Sequence, residues 1–379
     1  MDTILNDENY MQMALKLAVR GIGKVEPNPP AGCVIVKSVQ VIGKGWHRKF
    51  GEPHAEINAI EDCKNLGASP EGATMYVTLE PCCHQGKTGP CVDAIIEAEI
   101  SRVVISVGDP SGKVNGKGIE QLRQAGIEVE TGLCKEKGQQ LIAAFAKYAT
   151  TNLPWVILKW AQTIDGKLAF AETEGGDKQQ WISNEASRKN VHNLRRSVQG
   201  VLVGINTVIA DNPQLTPRPA KGRKTAGIVL DSALRIPLNC KLLNSAKSRK
   251  VLIITTHAAG QDQADKVERI TRKGAKVICV SPADIGCDLG EALCQLGNEG
   301  IAGLLVEGGP KMLAAFLKAQ LADEVIVYMK PALLGAAGTA NISDAITVLD
   351  SPVNLKNIEI KNFDGDIKLM GIVKKENQL

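Results

Sequence analysis

Three potential metal ligands, far apart in the sequence, constrain the fold of this chain more than any other feature. His54 lies in the run Gly-Glu-Pro-His-Ala-Glu, and Cys82 and Cys91 lie in the run Pro-Cys-Cys-His-Gln-Gly-Lys-Thr-Gly-Pro-Cys. One imidazole and two thiolates provide three ligands of a tetrahedral zinc site, which leaves a fourth position for water. A chain that forms such a site must bring both runs to the same place.

Glu56 follows His54 by two residues, so its carboxylate can stay off the metal and still reach a bound water as a proton shuttle. A His-x-Glu followed by Pro-Cys and a later cysteine is typical of zinc deaminases that act on nucleobases. Two other interpretations remain open: the three residues belong to the core, or Cys83 or His84 completes a closed structural zinc site. A closed site has no use for Glu56, so the pattern favours a catalytic zinc.

Composition is that of an ordinary globular protein. The chain has 379 residues, of which 44% are apolar and 23% charged, and this length is typical of two or three domains. A net charge of +4 is too small to indicate nucleic acid or a membrane surface as a partner. The first ten residues show no signal-peptide pattern. We therefore expect a cytoplasmic protein with reduced cysteines, in which Cys82 and Cys91 are metal ligands.

In the first half, the spacing of apolar residues predicts alternating strands and helices. Strands are predicted at residues 31–36, 39–46, 74–79, 102–107 and 127–130, and helices at 9–20, from His54 onward, at 118–125 and at 141–150. Pro81 is also expected to begin a helix, since the missing N–H of proline would be unpaired at that position anyway. The N-terminus of that helix would lower the pKa of the Cys82 thiol. This layout places His54, Cys82 and Cys91 at one end of a sheet.

A domain junction is predicted near Asn152, which divides the chain into domains 1–150 and 151–379. Beyond it, strands are predicted at 155–161, 200–204, 226–231, 251–255, 276–280, 303–307 and 324–330, and helices at 184–196, 288–296 and 311–319. This alternation indicates an α/β domain with a largely parallel sheet. No Gly-x-Gly-x-x-Gly occurs, so a standard Rossmann domain is not expected. Gly308-Gly309-Pro310 instead opens a helix whose N-terminus can bind phosphate.

Three motifs of the first half together resemble the bifunctional riboflavin-biosynthesis deaminase/reductase family. They are Pro-Asn-Pro-Pro-Ala-Gly-Cys-Val-Ile-Val, Gly-Glu-Pro-His-Ala-Glu and Glu-Pro-Cys-Cys-His-Gln-Gly-Lys-Thr-Gly-Pro-Cys. The long gap between the two cysteines is normal in that family and differs from the short gap of cytidine and tRNA adenosine deaminases. The resemblance implies a cytidine-deaminase-like three-layer domain, zinc on His54, Cys82 and Cys91, Glu56 as the catalytic proton donor and acceptor, and Asn28 as a substrate contact.

The second half carries motifs in the order seen in the reductase half of the same family, among them Thr-Ile-Asp-Gly-Lys, Trp-Ile-Ser and Val-Glu-Gly-Gly-Pro. The resemblance implies a dihydrofolate-reductase-like domain that uses NADPH. The residues that it implies around the cofactor are Ala161, Trp181, Thr207, Asp211, Ser232, Gly309, Pro310, Lys311, Met312, Leu313, Ala314 and Ala315. The residues that it implies around the substrate are Gln179, Arg195, Leu215, Arg218 and Glu307. A guanidinium binds phosphate with two parallel hydrogen bonds, so Arg195 or Arg218 suits a ribose phosphate.

The resemblance implies one enzyme with two consecutive activities. The first is hydrolytic deamination of 2,5-diamino-6-(5-phosphoribosylamino)pyrimidin-4-one, and the second is NADPH-dependent reduction of the ribosyl side chain to ribityl. This small molecule is the expected partner, and neither nucleic acid nor a membrane is expected to bind. The chain is expected to form a homo-oligomer. Two alternatives are a deaminase of tRNA or free nucleosides whose second half only binds, and a zinc-stabilised binding protein without turnover. The cysteine gap is evidence against the first, and Glu56 is evidence against the second.

Overall fold

A computed structural model describes residues 6–86, 89–112, 114–170, 181–218, 224–284 and 286–375. The chain separates into two compact units, Met1–Asn152 and Leu153–Leu379. Across the described residues, no helix combines the length and the apolar character that a membrane span requires.

The first unit alternates strands and helices along the chain. Its strands are β1 (Gly32–Lys37), β2 (Gln40–Trp46), β3 (Thr74–Leu79), β4 (Arg102–Val107) and β5 (Glu128–Thr131). Its helices are α1 (Asp7–Ala18), α2 (Ala55–Asn65), α3 (Cys91–Glu97), α4 (Lys117–Gln124), α5 (Lys135–Leu141) and α6 (Ala143–Thr151), with a 3-10 turn at Val19–Gly21. In the described part of the unit, the strands form one sheet in the order β2-β1-β3-β4-β5. Strand β1 is antiparallel to β2 and β3, whereas β3, β4 and β5 are parallel.

Helices cover both faces of this sheet, as the alternation of side chains along β1 requires. Ile35 faces a core shared with α2, α3 and α4, whereas its neighbour Val34 faces a second core shared with α1. Two glycines of β2 let α2 approach the sheet closely. A Cβ at Gly43 would lie 2.5 Å from the Ala59 carbonyl oxygen, and one at Gly45 would lie 2.2 Å from that of Ala55. The predicted three-layer arrangement is confirmed, and α2 is held with its N-terminus at the end of the sheet.

The prediction of a helix beginning at Pro81 was wrong. The described residues of 81–90 form no helix, and α3 begins at Cys91 with Pro90 as its N-cap. A helix that began at Pro81 would have carried Pro90 in its interior, where the proline ring breaks the hydrogen-bond ladder. The helix N-terminus therefore belongs to Cys91, and Cys82 lies on a segment without regular secondary structure that follows β3.

The second unit contains one large sheet and two short pairs of strands. The strands are β6 (Trp155–Thr163), β7 (Lys167–Phe170), β8 (Gly200–Gly204), β9 (Ala226–Leu230), β10 (Val251–Thr256), β11 (Lys276–Val280), β12 (Pro282–Ala283), β13 (Gly286–Cys287), β14 (Gly303–Val306), β15 (Glu324–Lys330), β16 (Gly338–Asn341), β17 (Leu355–Phe363) and β18 (Asp366–Val373). The helices are α7 (Glu185–Ser197), α8 (Ile205–Asp211), α9 (Lys241–Asn244), α10 (His257–Asp262), α11 (Ala264–Arg272), α12 (Leu289–Asn298), α13 (Pro310–Lys318) and α14 (Ile342–Ile346), with a 3-10 turn at Gly335–Ala337.

In the described part of this unit, the large sheet has the order β11-β10-β9-β8-β14-β6-β15-β18-β17. Strand β18 is antiparallel to β15 and β17, and the other neighbours are parallel. Leu202 of β8 packs in a core with α12 and α13, whereas the adjacent Val201 and Val203 pack in a core with α8, α9 and α11. The seven strands predicted here all lie in this sheet, and the predicted α/β class is confirmed.

Candidate active sites

The three predicted metal ligands meet at one end of the first sheet. His54 is the N-cap of α2, Cys82 follows β3, and Cys91 is the first residue of α3. The His54 Nδ1 atom lies 3.5 Å from the Cys82 Sγ and 3.3 Å from the Cys91 Sγ. All three ligand atoms lie within 4.8 Å of one another. Zinc bonds of about 2.3 Å to sulfur and about 2.0 Å to nitrogen in a tetrahedron separate the two ligand types by about 3.5 Å, so the donor set fits zinc.

Hydrogen bonds prepare one thiol of this cluster to bind a metal. The Cys91 thiol, the Cys91 backbone N–H and His54 hold the pKa of Cys82 well below its usual range. The backbone N–H of Cys91 donates to the Cys82 Sγ at 3.4 Å. The thiolate is the form of cysteine that binds metals. Within the described residues, the metal-ligand cluster does not include Cys83 or His84, and Cys83 packs against the core instead.

Glu56 lies in the first turn of α2, beside the three ligands, and is only 4% exposed. Burial raises the pKa of Glu56, and the Cys82 thiol adds to this shift, whereas His54 opposes it. A carboxyl group whose pKa is raised holds a proton more readily, which suits a group that must both accept and release one.

His47 holds the side chain of Asn28 in one orientation. The His47 ring is 2% exposed, and its Nδ1 atom lies 3.2 Å from the Pro53 carbonyl oxygen. Its Nε2 atom lies 3.3 Å from the Asn28 Nδ2. Burial lowers the pKa of His47, which favours the neutral ring that donates from Nδ1 and accepts from the Asn28 amide at Nε2. The side-chain carbonyl oxygen of Asn28 is then left for another partner.

These groups line a cavity of about 880 Å³. Asn28, His47, His54, Glu56 and Cys82 are among its lining residues. Phe145, Tyr148 and residues 149–152, at the C-terminal end of α6, line the same cavity. The volume is large enough for a nucleotide-sized ligand, since small-molecule sites span about 300–1,000 Å³.

Glu80 organises one wall of the cavity, and the sequence reasoning missed it. One oxygen of its carboxylate accepts the backbone N–H groups of Asp109 and Gly116, each at 3.1 Å. The other oxygen accepts those of Gly118 at 3.0 Å and Ile119 at 3.4 Å. A carboxylate that binds four backbone donors fixes the connection between β4 and α4, from which Asp109, Ser111 and Gly112 reach the cavity.

The second unit carries a cluster of charged groups around Glu307, which follows β14. The Arg195 guanidinium of α7 donates to both oxygens of Glu307 at 2.7 Å, and the two side chains are 18% and 11% exposed. Although burial alone would raise the pKa of Glu307, the Arg195 charge holds it below its usual value. Lys159 of β6 lies beside this pair, where burial lowers its pKa and the Glu307 charge opposes the change. The sequence reasoning missed Lys159, although a single lysine inside an apolar strand is itself a signal.

The other predicted substrate residues of this unit differ in position. Arg218 is exposed, whereas Leu215 is 2% exposed and its side chain packs in the core. Leu215 has a φ of +56°, and the adjacent Thr216 carbonyl accepts a hydrogen bond of 3.4 Å from Arg195. Gln179 lies outside the described residues.

Apart from Trp181, the predicted cofactor residues lie at the carboxyl-terminal edge of the parallel strands or just beyond it, where α/β sheets bind ligands. Ala161 is near the end of β6, Thr207 and Asp211 follow β8 on α8, and Ser232 follows β9. Trp181 is 55% exposed. Gly309 is the N-cap of α13, which has no side-chain cap, and a Cβ at Gly309 would meet no atom within 4 Å. The segment Pro310, Lys311, Met312, Leu313, Ala314 and Ala315 forms the first turns of α13, with Leu313 and Ala314 turned into the core. An uncapped helix N-terminus with open space in front of it fits the phosphates of a dinucleotide.

Comparisons with known protein families match both units. Residues 5–107 match the family profile described as the cytidine and deoxycytidylate deaminase zinc-binding region. Residues 154–369 match the profile described as the RibD C-terminal domain.

Individual relatives and solved structures match over nearly the full chain. The riboflavin biosynthesis protein RibD of Aquifex aeolicus is 40% identical over 363 residues, which cover 95% of this chain and 97% of the relative. The protein of that name from Escherichia coli is 37% identical over 371 residues, with coverage of 96% and 99%. The structure of Acinetobacter baumannii RibD in form 1 has a TM-score of 0.80 at 34% identity, with coverage of 97% and 99%. A diaminohydroxyphosphoribosylaminopyrimidine deaminase/5-amino-6-(5-phosphoribosylamino)uracil reductase from Thermotoga maritima has a TM-score of 0.82 at 35% identity, with coverage of 97% and 98%.

Proposed function

Because this chain belongs to the RibD family of riboflavin biosynthesis, we propose an assignment of its residues to the two reactions of that family. The first unit is the deaminase, a hydrolase that uses Zn²⁺, and the second unit is the reductase, an oxidoreductase that uses NADPH. The substrate is 2,5-diamino-6-(5-phosphoribosylamino)pyrimidin-4-one, which is deaminated before its ribosyl group is reduced to ribityl. The division into domains 1–150 and 151–379 by activity is part of this proposal.

His54, Cys82 and Cys91 hold the zinc, and the observation that carries this assignment is the spacing of their three ligand atoms. When bound, zinc supplies the Lewis acidity that makes water a nucleophile at neutral pH. Glu56 takes a proton from the attacking water and delivers a proton to the departing amine, so that water replaces the amino group and ammonia leaves. Its burial beside Cys82 and its raised pKa support this role. Asn28, held by His47, contacts the pyrimidine.

In the second unit, NADPH supplies the hydride that reduces the ribosyl carbon, and the chain contributes orientation and charge. Gly309 and the first turns of α13 bind the cofactor phosphates, and Ala161, Trp181, Thr207, Asp211 and Ser232 line the remainder of the cofactor. Arg195 is already engaged by Glu307, so we assign the ribose phosphate of the substrate to Arg218. Lys159 and Glu307 provide a half-buried amine and a half-buried carboxylate beside the substrate, and Leu215 supports the loop that carries Arg218. Gln179 stays a proposed substrate contact.

The experiment that tests the deaminase site compares four variants in the full-length protein. Cys82→Ser and Cys91→Ser should lose zinc, whereas Cys83→Ser, a matched change at a neighbouring position, should keep about one zinc per chain. Glu56→Gln should keep zinc and the fold but lose about 10²–10⁴-fold in ammonia release. Reduction of already deaminated substrate should be unaffected in Glu56→Gln. Zinc loss in Cys83→Ser, or near-normal ammonia release by Glu56→Gln, would refute the assignment.

We propose a homo-oligomer, because Ile358 and Ile360 on the edge strand β17 are 48% and 67% exposed, and large exposed apolar groups on an edge strand favour association. Light scattering tests this, and Ile360→Lys should lower the measured mass.

We propose that the protein is located in the cytoplasm, because all ten cysteines are unpaired, as a reducing compartment allows. The small net charge supports a small-molecule partner rather than nucleic acid.

A further inference from the structure

Arg249 is a buried arginine whose guanidinium donates to three neutral groups among the described residues. The residue lies between α9 and β10 and is 8% exposed. Its Nε donates to the Ser245 hydroxyl at 3.0 Å, its Nη1 donates to the Thr225 carbonyl at 3.2 Å, and its Nη2 donates to the Gln214 carbonyl. Gly227 leaves the space that this group needs, since a Cβ there would lie 3.0 Å from the Arg249 Nη2.

No acidic side chain pairs with Arg249 in the part of the chain that the structure describes. Burial and the nearby Arg195 lower the pKa of Arg249 to about 10, so the group stays charged at neutral pH. A buried cation without a carboxylate is costly for stability. Three hydrogen bonds from one rigid, planar group offset part of this cost and fix three segments of chain relative to one another.

The segment held at Gln214 is the loop that connects α8 to residues 215–218. Arg249 binds the carbonyl of Gln214, and Arg195 binds the carbonyl of Thr216 at 3.4 Å. Leu215, between these two carbonyls, has a left-handed φ of +56°, a conformation that non-glycine residues adopt only where neighbouring contacts enforce it. Two guanidinium groups therefore hold the loop on both sides of its strained residue.

Arg249 is also linked to Arg195 through Thr225. The Thr225 carbonyl accepts from Arg249, and the Thr225 hydroxyl donates to the Arg195 backbone carbonyl at 2.8 Å. Thr225 is 1% exposed, so both bonds are shielded from water. The same arginine thus contacts the loop that carries Arg218 and the residue that supports the end of α7.

We propose that Arg249 is a positioning residue of the reductase substrate site, which it serves by fixing the Gln214 carbonyl and so the direction in which the loop presents Arg218. This inference rests on the proposed function of the second unit, in which Arg218 binds the substrate phosphate. Arg249 itself does not contact substrate. Its removal should weaken the binding of substrate and leave the binding of NADPH unchanged.

The test measures steady-state reduction of deaminated substrate by Arg249→Met and Arg249→Lys in the full-length protein. Arg272→Met, the same change at a side chain of α11 that is 71% exposed, is the matched control. Arg249→Met should raise KM for the pyrimidine by about tenfold, the effect of a misplaced phosphate contact, with kcat and the Kd of NADPH close to wild type. Arg249→Lys keeps the charge but cannot reach three acceptors, so its KM should rise nearly as much.

Several results would overturn the proposal. An unchanged KM in Arg249→Met, with only a lower Tm, would show a purely structural role. A wild-type KM in Arg249→Lys would show that charge, not geometry, matters, and Arg249→Lys alone decides the question if Arg249→Met does not fold. Failure of the unaltered protein to reduce the substrate would instead refute the proposed function itself.

Discussion

Replacement of Glu80 tests whether one buried carboxylate holds the wall of the deaminase cavity. Of its four bonds to backbone N–H groups, those from Asp109 and Gly118 are buried, and that from Ile119 is the longest at 3.4 Å. A glutamine at position 80 keeps one oxygen. Its amide should therefore turn toward Gly118 and Ile119, where it loses one good bond and one weak bond.

A buried N–H group without an acceptor costs about 1–3 kcal/mol. Glu80→Gln should therefore destabilise the connection by about 1–3 kcal/mol, and Glu80→Ala, which leaves both buried donors without a partner, by about 2–6 kcal/mol. Hydrogen exchange measured by mass spectrometry reports this directly. The amide of Gly118 should exchange about 5- to 150-fold faster in Glu80→Gln, since each 1.4 kcal/mol is a factor of ten.

The same variants should raise KM for deamination, because Asp109 and Ser111 would lose their fixed positions in the cavity. Glu97→Gln, at an exposed position of α3, is the matched control and should change neither exchange nor KM. Unchanged exchange at Gly118 in Glu80→Ala would show that the four bonds do not hold this segment, and the reasoning would then be refuted.

Three further predictions concern the cofactor, the division of the chain and pH. Gly309→Asp should fold normally, since aspartate is a good N-cap, but it should raise KM for NADPH roughly tenfold because its carboxylate repels phosphate. Gly309→Asn, the neutral control, should leave KM for NADPH unchanged. Equal KM values in the two variants would contradict the assignment of the cofactor phosphates to this helix N-terminus. A fragment from Leu153 to the C-terminus should reduce deaminated substrate without zinc. A soluble, folded fragment that neither binds NADPH nor turns over substrate would contradict the assignment of the reductase to the second unit alone. Hydrogen bonds from Arg102 and Tyr76 lower the pKa of Asp7 below its ordinary value of 3.8. The stability that the charged Asp7 contributes is present above pH 3.8 and is lost as the pH falls through the lowered pKa. Asp7→Asn should therefore reduce the free energy of unfolding by at most about 1 kcal/mol at pH 7 and by less at pH 3. An equal loss at the two pH values would contradict this reasoning.

The sheets of both units could be predicted from sequence because their central strands are continuous apolar runs. The run around Val103 and the run around Ile253 are buried on both faces, and such runs bounded by polar residues are recognisable without further context. The edge strand β17 was not predicted. Its burial is low along most of its length, so no alternation of buried and exposed positions distinguishes it from a loop.

The cluster of His54, Cys82 and Cys91 could be predicted because the chemistry of metal binding restricts the choice of residues at each position. Glu80 and Arg249 could not, because they act on backbone groups. Glu80 accepts from amides 29–39 residues away in sequence, and Arg249 donates to a carbonyl 35 residues away. Every residue has a backbone carbonyl and every residue except proline has a backbone N–H, so the sequence does not show which of these groups a side chain will bind.

The last turn of α6 closes the first unit and also lines its cavity. Residues 149–152 belong both to the cavity wall and to the end of Met1–Asn152, and Trp155 begins β6 only three residues later. A cut after residue 150 would thus remove Thr151 and Asn152 from the deaminase pocket, whereas a cut after Asn152 would leave the pocket intact. A split of the gene that preserved this wall would therefore end the first protein at Asn152 or later.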